Sequence, residues 1–133
     1  MLKHLGVYLA VFIAMVVIDM LWLRLIAVQW YAQGMGPLLT NSPNLWAAAA
    51  FYLMFPAGLL IFAVFPSAGA PLVKAVTMGA LFGFFTYATY DLTALAVIRG
   101  WPVGLTFLDI AWGTIVSGAS AGAGKLALDY LNK

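Results

Sequence analysis

Residues 78–97 read MGALFGFFTYATYDLTALAV, twenty residues with one charged side chain, Asp91. A transmembrane helix needs about 20 largely apolar residues, so this stretch has the length and character of one. A strand would alternate polar and apolar residues. Here Gly79 and Gly83 fall four apart, in step with Tyr87 and Asp91, which is helical spacing. Glycines in such a stripe let a neighbouring helix pack closely, so the acid that continues the stripe faces the interior of a bundle and not lipid.

Working outward, the same reading applies along the chain. Four apolar segments, at about 5–28, 45–65, 72–98 and 103–128, are long enough to cross a bilayer. Of the 133 residues, 65% are hydrophobic and 8% charged, with a mean hydropathy of +1.05. A soluble domain carries about 25% charged residues. The fold expected is therefore an all-α integral membrane bundle of four transmembrane helices, one domain over residues 1–133. The opening MLKHLGVYLAVFIAMVVIDM imitates a signal peptide, but its apolar pattern continues past Asp19 without a small-residue cleavage site. It is read as a retained first span. Pro66, Pro71, Gly100 and Pro102 mark helix boundaries, and Pro56 predicts a kink inside the second span. The uncharged first connection carries Trp30 and Tyr31, which with Trp46 fit an aromatic belt at the interface.

Charge supplies orientation and excludes some classes. Lys3, Lys74, Lys125 and Lys133 fall on one side and Arg24 and Arg99 on the other, which predicts both termini inside. A net charge of +2 without a basic run gives no nucleic-acid surface. The chain has no cysteine and one histidine, so neither a thiolate nor a histidine metal centre is expected, and the residues name no cofactor.

The acids carry the chemistry. Asp19, Asp91 and Asp109 sit in spans one, three and four. At a rise of about 1.5 Å per residue they lie roughly 13, 10 and 9 Å below the outer ends of their spans, in one layer. Tyr52 of span two reaches a similar depth. Asp19 and Trp22 share a helix face, as do Asp109 and Trp112, so the pattern Asp-x-x-Trp occurs twice on antiparallel spans and hints at an inverted repeat. Tyr87 shares the face of Asp91, whereas Tyr90 lies about 100° away and is assigned to another interface. Arg24 is expected to snorkel to headgroups, and Arg99 is a possible partner for the shallow end of the layer.

Two readings of the layer compete. In one, the acids bond Tyr, Trp and Thr side chains and hold four helices in register, each contact worth about 0.6 kcal/mol. In the other, they form a site, because an Asp at a helix centre costs about 2.5–3.5 kcal/mol to insert and intramembrane acids mark function by default. The candidate ligand-binding set is Asp19, Trp22, Tyr52, Tyr87, Asp91, Asp109 and Trp112. The run SGASAGAGK at 117–125 imitates a phosphate loop. It lacks the glycine spacing, the following Ser or Thr and the preceding strand, so Gly118 and Gly122 are read as packing residues.

The motifs DMLWL, TYATYDLTALAVIRGWP and LDIAWG, in that order, make the chain similar to the bacterial membrane-protein family catalogued as domain of unknown function 2177. The resemblance covers nearly the whole chain and implies a four-helix protein of the bacterial inner membrane, with no established activity. The family pattern carries an Asn after YDLT; Ala94 stands there in this chain. Three functions follow as expectations. The first is binding, or modification, of a lipid-like or amphipathic molecule in an Asp/Tyr/Trp pocket in the outer half. The second is an accessory or assembly subunit, meeting a membrane-protein partner or a second copy through the glycine-rich faces. The third is proton or cation transport.

Overall fold

The computed structural model describes residues 2–26, 34 and 44–133. Four helices long and apolar enough to cross a membrane account for most of them. Helix α1 (Leu2–Leu21) runs into a π-helical turn at Trp22–Ile26. Helix α2 (Leu45–Leu59) passes into a second π turn, Leu60–Val64, and a 3₁₀ turn, Phe65–Ser67. Helices α3 (Leu72–Val97) and α4 (Val103–Leu131) complete the bundle. The described residues contain no strand, as an all-α bundle of four transmembrane helices requires. Trp30, Tyr31 and the last residues assigned to span one lie outside the described residues.

Local chemistry explains the boundaries. The Asn44 side chain accepts from the Ala47 N–H and caps α2. Pro71 and Pro102 stand immediately before α3 and α4, where a missing N–H costs nothing. Gly69 and Gly100 take positive φ, of 77° and 80°, in the two short turns. Pro56 lies inside α2, and four residues later the helix widens to the π form. Beside it, Tyr8 of α1 donates its hydroxyl to the Leu53 carbonyl at 2.7 Å.

Both termini lie at one end of the bundle: Lys3 donates to the Asn132 side chain, and His4 meets the Phe65 ring at 5.0 Å. That terminal end is tightly packed. Val7, Val11 and Met15, spaced by four on α1, are fully buried with Leu59, Val64, Val116 and Ala121. Helices α3 and α4 are in contact backbone to side chain. A Cβ on Gly83 would stand 2.3 Å from the Gly113 carbonyl oxygen, and one on Gly79 would stand 2.4 Å from Ala121 Cβ. The glycine faces of spans three and four are thus turned towards each other within one chain. Span two packs on α3 mainly through its π turn, while its first half diverges from α3 towards the opposite, far end.

Candidate functional site

The divergence of α2 from α3 opens a cavity of about 650 Å³ in the far half of the bundle. Asp19, Trp22, Tyr87, Asp91, Asp109 and Trp112 all line it, so six of the seven residues expected from sequence share one space. The seventh, Tyr52, stands behind the wall and donates its hydroxyl to Asp19 Oδ2. The remaining lining is apolar and aromatic. Phe51 and Phe55 of α2 face Phe82 of α3, and Phe55 meets the Phe82 and Tyr87 rings at 5.2 and 6.0 Å. Leu23, Met54 and Tyr90 line the cavity and are also exposed on the outside of the bundle, so the space reaches the bundle's surface.

The acids divide into two corners. Asp19, 7% exposed, ends the α1 stripe of Val7, Val11 and Met15. Its Oδ1 accepts from Trp112 Nε1 at 2.9 Å and its Oδ2 from Tyr52, so one carboxylate ties α1 to α2 and α4. Trp22, the first residue of the π turn and three residues after Asp19, stacks on Trp112 at 4.3 Å with rings 8° from parallel. In the second corner Asp91, 2% exposed, is hydrogen-bonded to Asp109. Two carboxyl groups bond to each other only through a proton that one of them carries. Asp91 Oδ2 is buried with no amide, indole or alcohol donor bonded to it.

Threonine does not supply that missing donor. Thr86 and Thr106 line the cavity, but their hydroxyls bond the Phe82 and Pro102 carbonyls of their own helices at 2.8 and 2.7 Å. Ala94 is buried one turn beyond Asp91 and offers no donor either. Among the described residues no three His, Cys, Asp or Glu side chains form a set that could hold a metal ion. The two Asp-x-x-Trp motifs are not used symmetrically: Trp112 bonds the acid of the other motif, whereas Asp109 bonds Asp91.

A family model matches residues 4–126 under the description Predicted membrane protein (DUF2177). The chain belongs to this membrane-protein family of unknown function. No curated protein and no solved structure matches it.

The DUF2177 chain also corrects two expectations. Tyr90, assigned from its angle to another interface, lines the cavity and meets the Trp101 ring at 5.8 Å, nearly perpendicular. Arg99 is exposed and forms no ion pair with the acids among the described residues; the ion pair found there is Lys125 with Asp129 at 2.6 Å. Sequence reasoning passed over Trp101, Phe51, Phe55, Phe82 and Thr86. Thr86 and Tyr90 were detectable as one-turn neighbours on α3. Trp101 was not, since it returns to the cavity from the turn at Gly100.

Proposed function

We propose that this protein binds a lipid-like or amphipathic molecule within the membrane, in the cavity between the far halves of spans two and three. The observation that carries this reading is the cavity's division of labour. A wide aromatic and aliphatic wall suits an acyl or alkyl chain, and a compact acidic corner suits a polar head. Its volume falls within the range of about 300–1,000 Å³ for small-molecule sites. Exposed Leu23, Met54 and Tyr90 supply a route from surrounding hydrocarbon. With the termini on the cytoplasmic side, as lysine placement favours, the cavity lies in the outer half of the membrane.

Two features favour binding over the other expectations. The terminal half below the cavity packs fully buried Leu59, Val64, Val116 and Ala121 around its few buried polar side chains, Ser67, Ser117, Ser120 and Lys125, so an ion would meet a mostly apolar barrier. Gly79, Gly83, Gly113 and Gly118 serve contacts between α3 and α4, so those surfaces are not free for a partner subunit.

Leu105→Trp tests the proposal by filling the cavity from α4. The wild-type and variant chains, purified in mild detergent with equal helicity, are compared by native mass spectrometry after delipidating washes. An amphiphile retained by the wild type and lost from the variant is the expected result. Equal retention by both, or none by either, overturns the reading.

A further inference from the structure

The acidic corner has a chemistry more specific than amphiphile binding, and three observations converge on it. The first is charge. Asp19, Asp91 and Asp109 all line the cavity, and no Lys, Arg or His does. Arg24 and Arg99, the cations of the far half, are exposed on the outside. Asp19 accepts two neutral donors, and the Asp91–Asp109 pair carries a negative charge whenever it shares one proton. Buried charge of one sign calls for a counter-charge, and the protein supplies none at the cavity wall.

The second observation is the orphaned oxygen. Buried polar groups are nearly always satisfied, so each exception needs an explanation. Asp91 lines the cavity and is 2% exposed, its Oδ2 has no amide, indole or alcohol donor, and the Thr86 and Thr106 hydroxyls that also line the cavity are committed to their own helices. What the oxygen lacks is an N–H or alcohol O–H donor. The third observation is the rings on the same side. Tyr90, Trp101 and Tyr87 line the cavity with Asp91, and aromatic faces attract cations within about 6 Å.

We propose that the Asp91–Asp109 corner receives the protonated amine of a long-chain amphiphile, an ammonium head that still bears N–H, with its chain lying along Phe51, Phe55 and Phe82. This inference rests on the amphiphile-binding reading and specifies its ligand class. Absence of a basic residue from the wall also disfavours a phosphate-bearing head, whose anionic oxygens would find three acids and no cation. The class is therefore a simple alkylamine and not a zwitterionic phospholipid.

Three probes of one chain length discriminate: dodecylamine, dodecyltrimethylammonium and dodecanol. Each is titrated into the full-length protein in non-ionic detergent near neutral pH, and binding is read by calorimetry with empty micelles subtracted. Dodecylamine is expected to bind one per chain, at least tenfold tighter than dodecanol. Dodecyltrimethylammonium, which has no N–H for Asp91 Oδ2, falls between them. Asp91→Asn is expected to remove at least tenfold of the amine affinity and to weaken dodecanol, which loses a neutral hydrogen bond and no charge pairing, by a smaller factor; Asp109→Asn gives a second variant should the first fold poorly. Equal affinity for amine and alcohol overturns the amine assignment and leaves the amphiphile cavity standing. Trimethylammonium binding as tight as the amine overturns the contact to Asp91. No binding of any probe overturns the inference together with the reading beneath it.

Discussion

Asp19 and Asp91 are both buried acids on transmembrane helices and both line one cavity, yet one is fully supplied with donors and the other is not. Asp19 receives an indole N–H and a phenol O–H from two other helices. Asp91 shares a bond with a second acid, and its Oδ2 receives no amide, indole or alcohol donor. Within a single layer, then, the two competing readings of intramembrane acids apply to different residues. Asp19 behaves as a clamp that fixes helix register, and Asp91 with Asp109 as a surface prepared for something outside the chain. Polar contacts in membranes are individually weak, but a clamp joining three helices fixes their relative rotation as well as adding energy.

The sharpest way to break this contrast is to remove each acid in turn. Asp19→Ala strands the Tyr52 hydroxyl and Trp112 N–H together, and is expected to destabilise the fold by about 2–3 kcal/mol. Asp91→Ala removes one bond, to Asp109, where Asp19→Ala removes two, and it strands no indole or phenol donor; it should cost about 1 kcal/mol by the same reckoning. Unfolding in mixed micelles of graded SDS content measures both. Equal losses would erase the distinction between the corners.

Much of this arrangement was legible in the chain, for a definite reason. Spacing on one helix states which residues share a face. The stripe Val7, Val11, Met15, Asp19 and the stripe Gly79, Gly83, Tyr87, Asp91 could therefore be read directly, and depth followed from rise per residue. Spacing does not state how two helices are rotated against each other. That phase is set by close contacts such as Gly83 on Gly113, and by the π turns at Trp22–Ile26 and Leu60–Val64, which shift the face each following residue presents. For that reason the meeting of Asp19 with Trp112, in place of Trp22 or Arg24, was not accessible beforehand. The expectation for Tyr90 failed differently. Its angle from Asp91 was right, but the cavity is wide and a tyrosine long enough to line it from an adjacent face.

A smaller effect sharpens the Asp19 corner. Tyr52→Phe deletes one donor without opening space, and is expected to cost about 0.6–1.7 kcal/mol, the span found for side-chain bonds in membranes. In the Asp19→Ala background the same change should cost nothing, since the stranded hydroxyl is already a liability. A Tyr52→Phe penalty that persists without Asp19 would show that the tyrosine acts through packing against Phe51, whose ring lies 5.0 Å away, and not through the carboxylate.

Asp109→Asn should change stability least, and its sign follows from what each group can donate. In the native pair, the bond between Asp91 and Asp109 exists only while one of them holds a proton. An asparagine at 109 brings an N–H donor that does not depend on protonation, and offers it to an Asp91 carboxylate. The expected change is within about 1 kcal/mol of zero, towards greater stability. The same substitution at Asp19 works in the opposite direction, because an amide has one acceptor oxygen for the two donors there: the Trp112 indole can only donate, the Tyr52 hydroxyl must turn to accept, and both bonds lose their carboxylate partner. Thermal unfolding of Asp109→Asn and Asp19→Asn in one detergent reads the two signs side by side. Loss of stability at position 109 as large as that at 19 would mean that both corners hold the bundle together, and that the acid pair near Asp91 is satisfied as it stands.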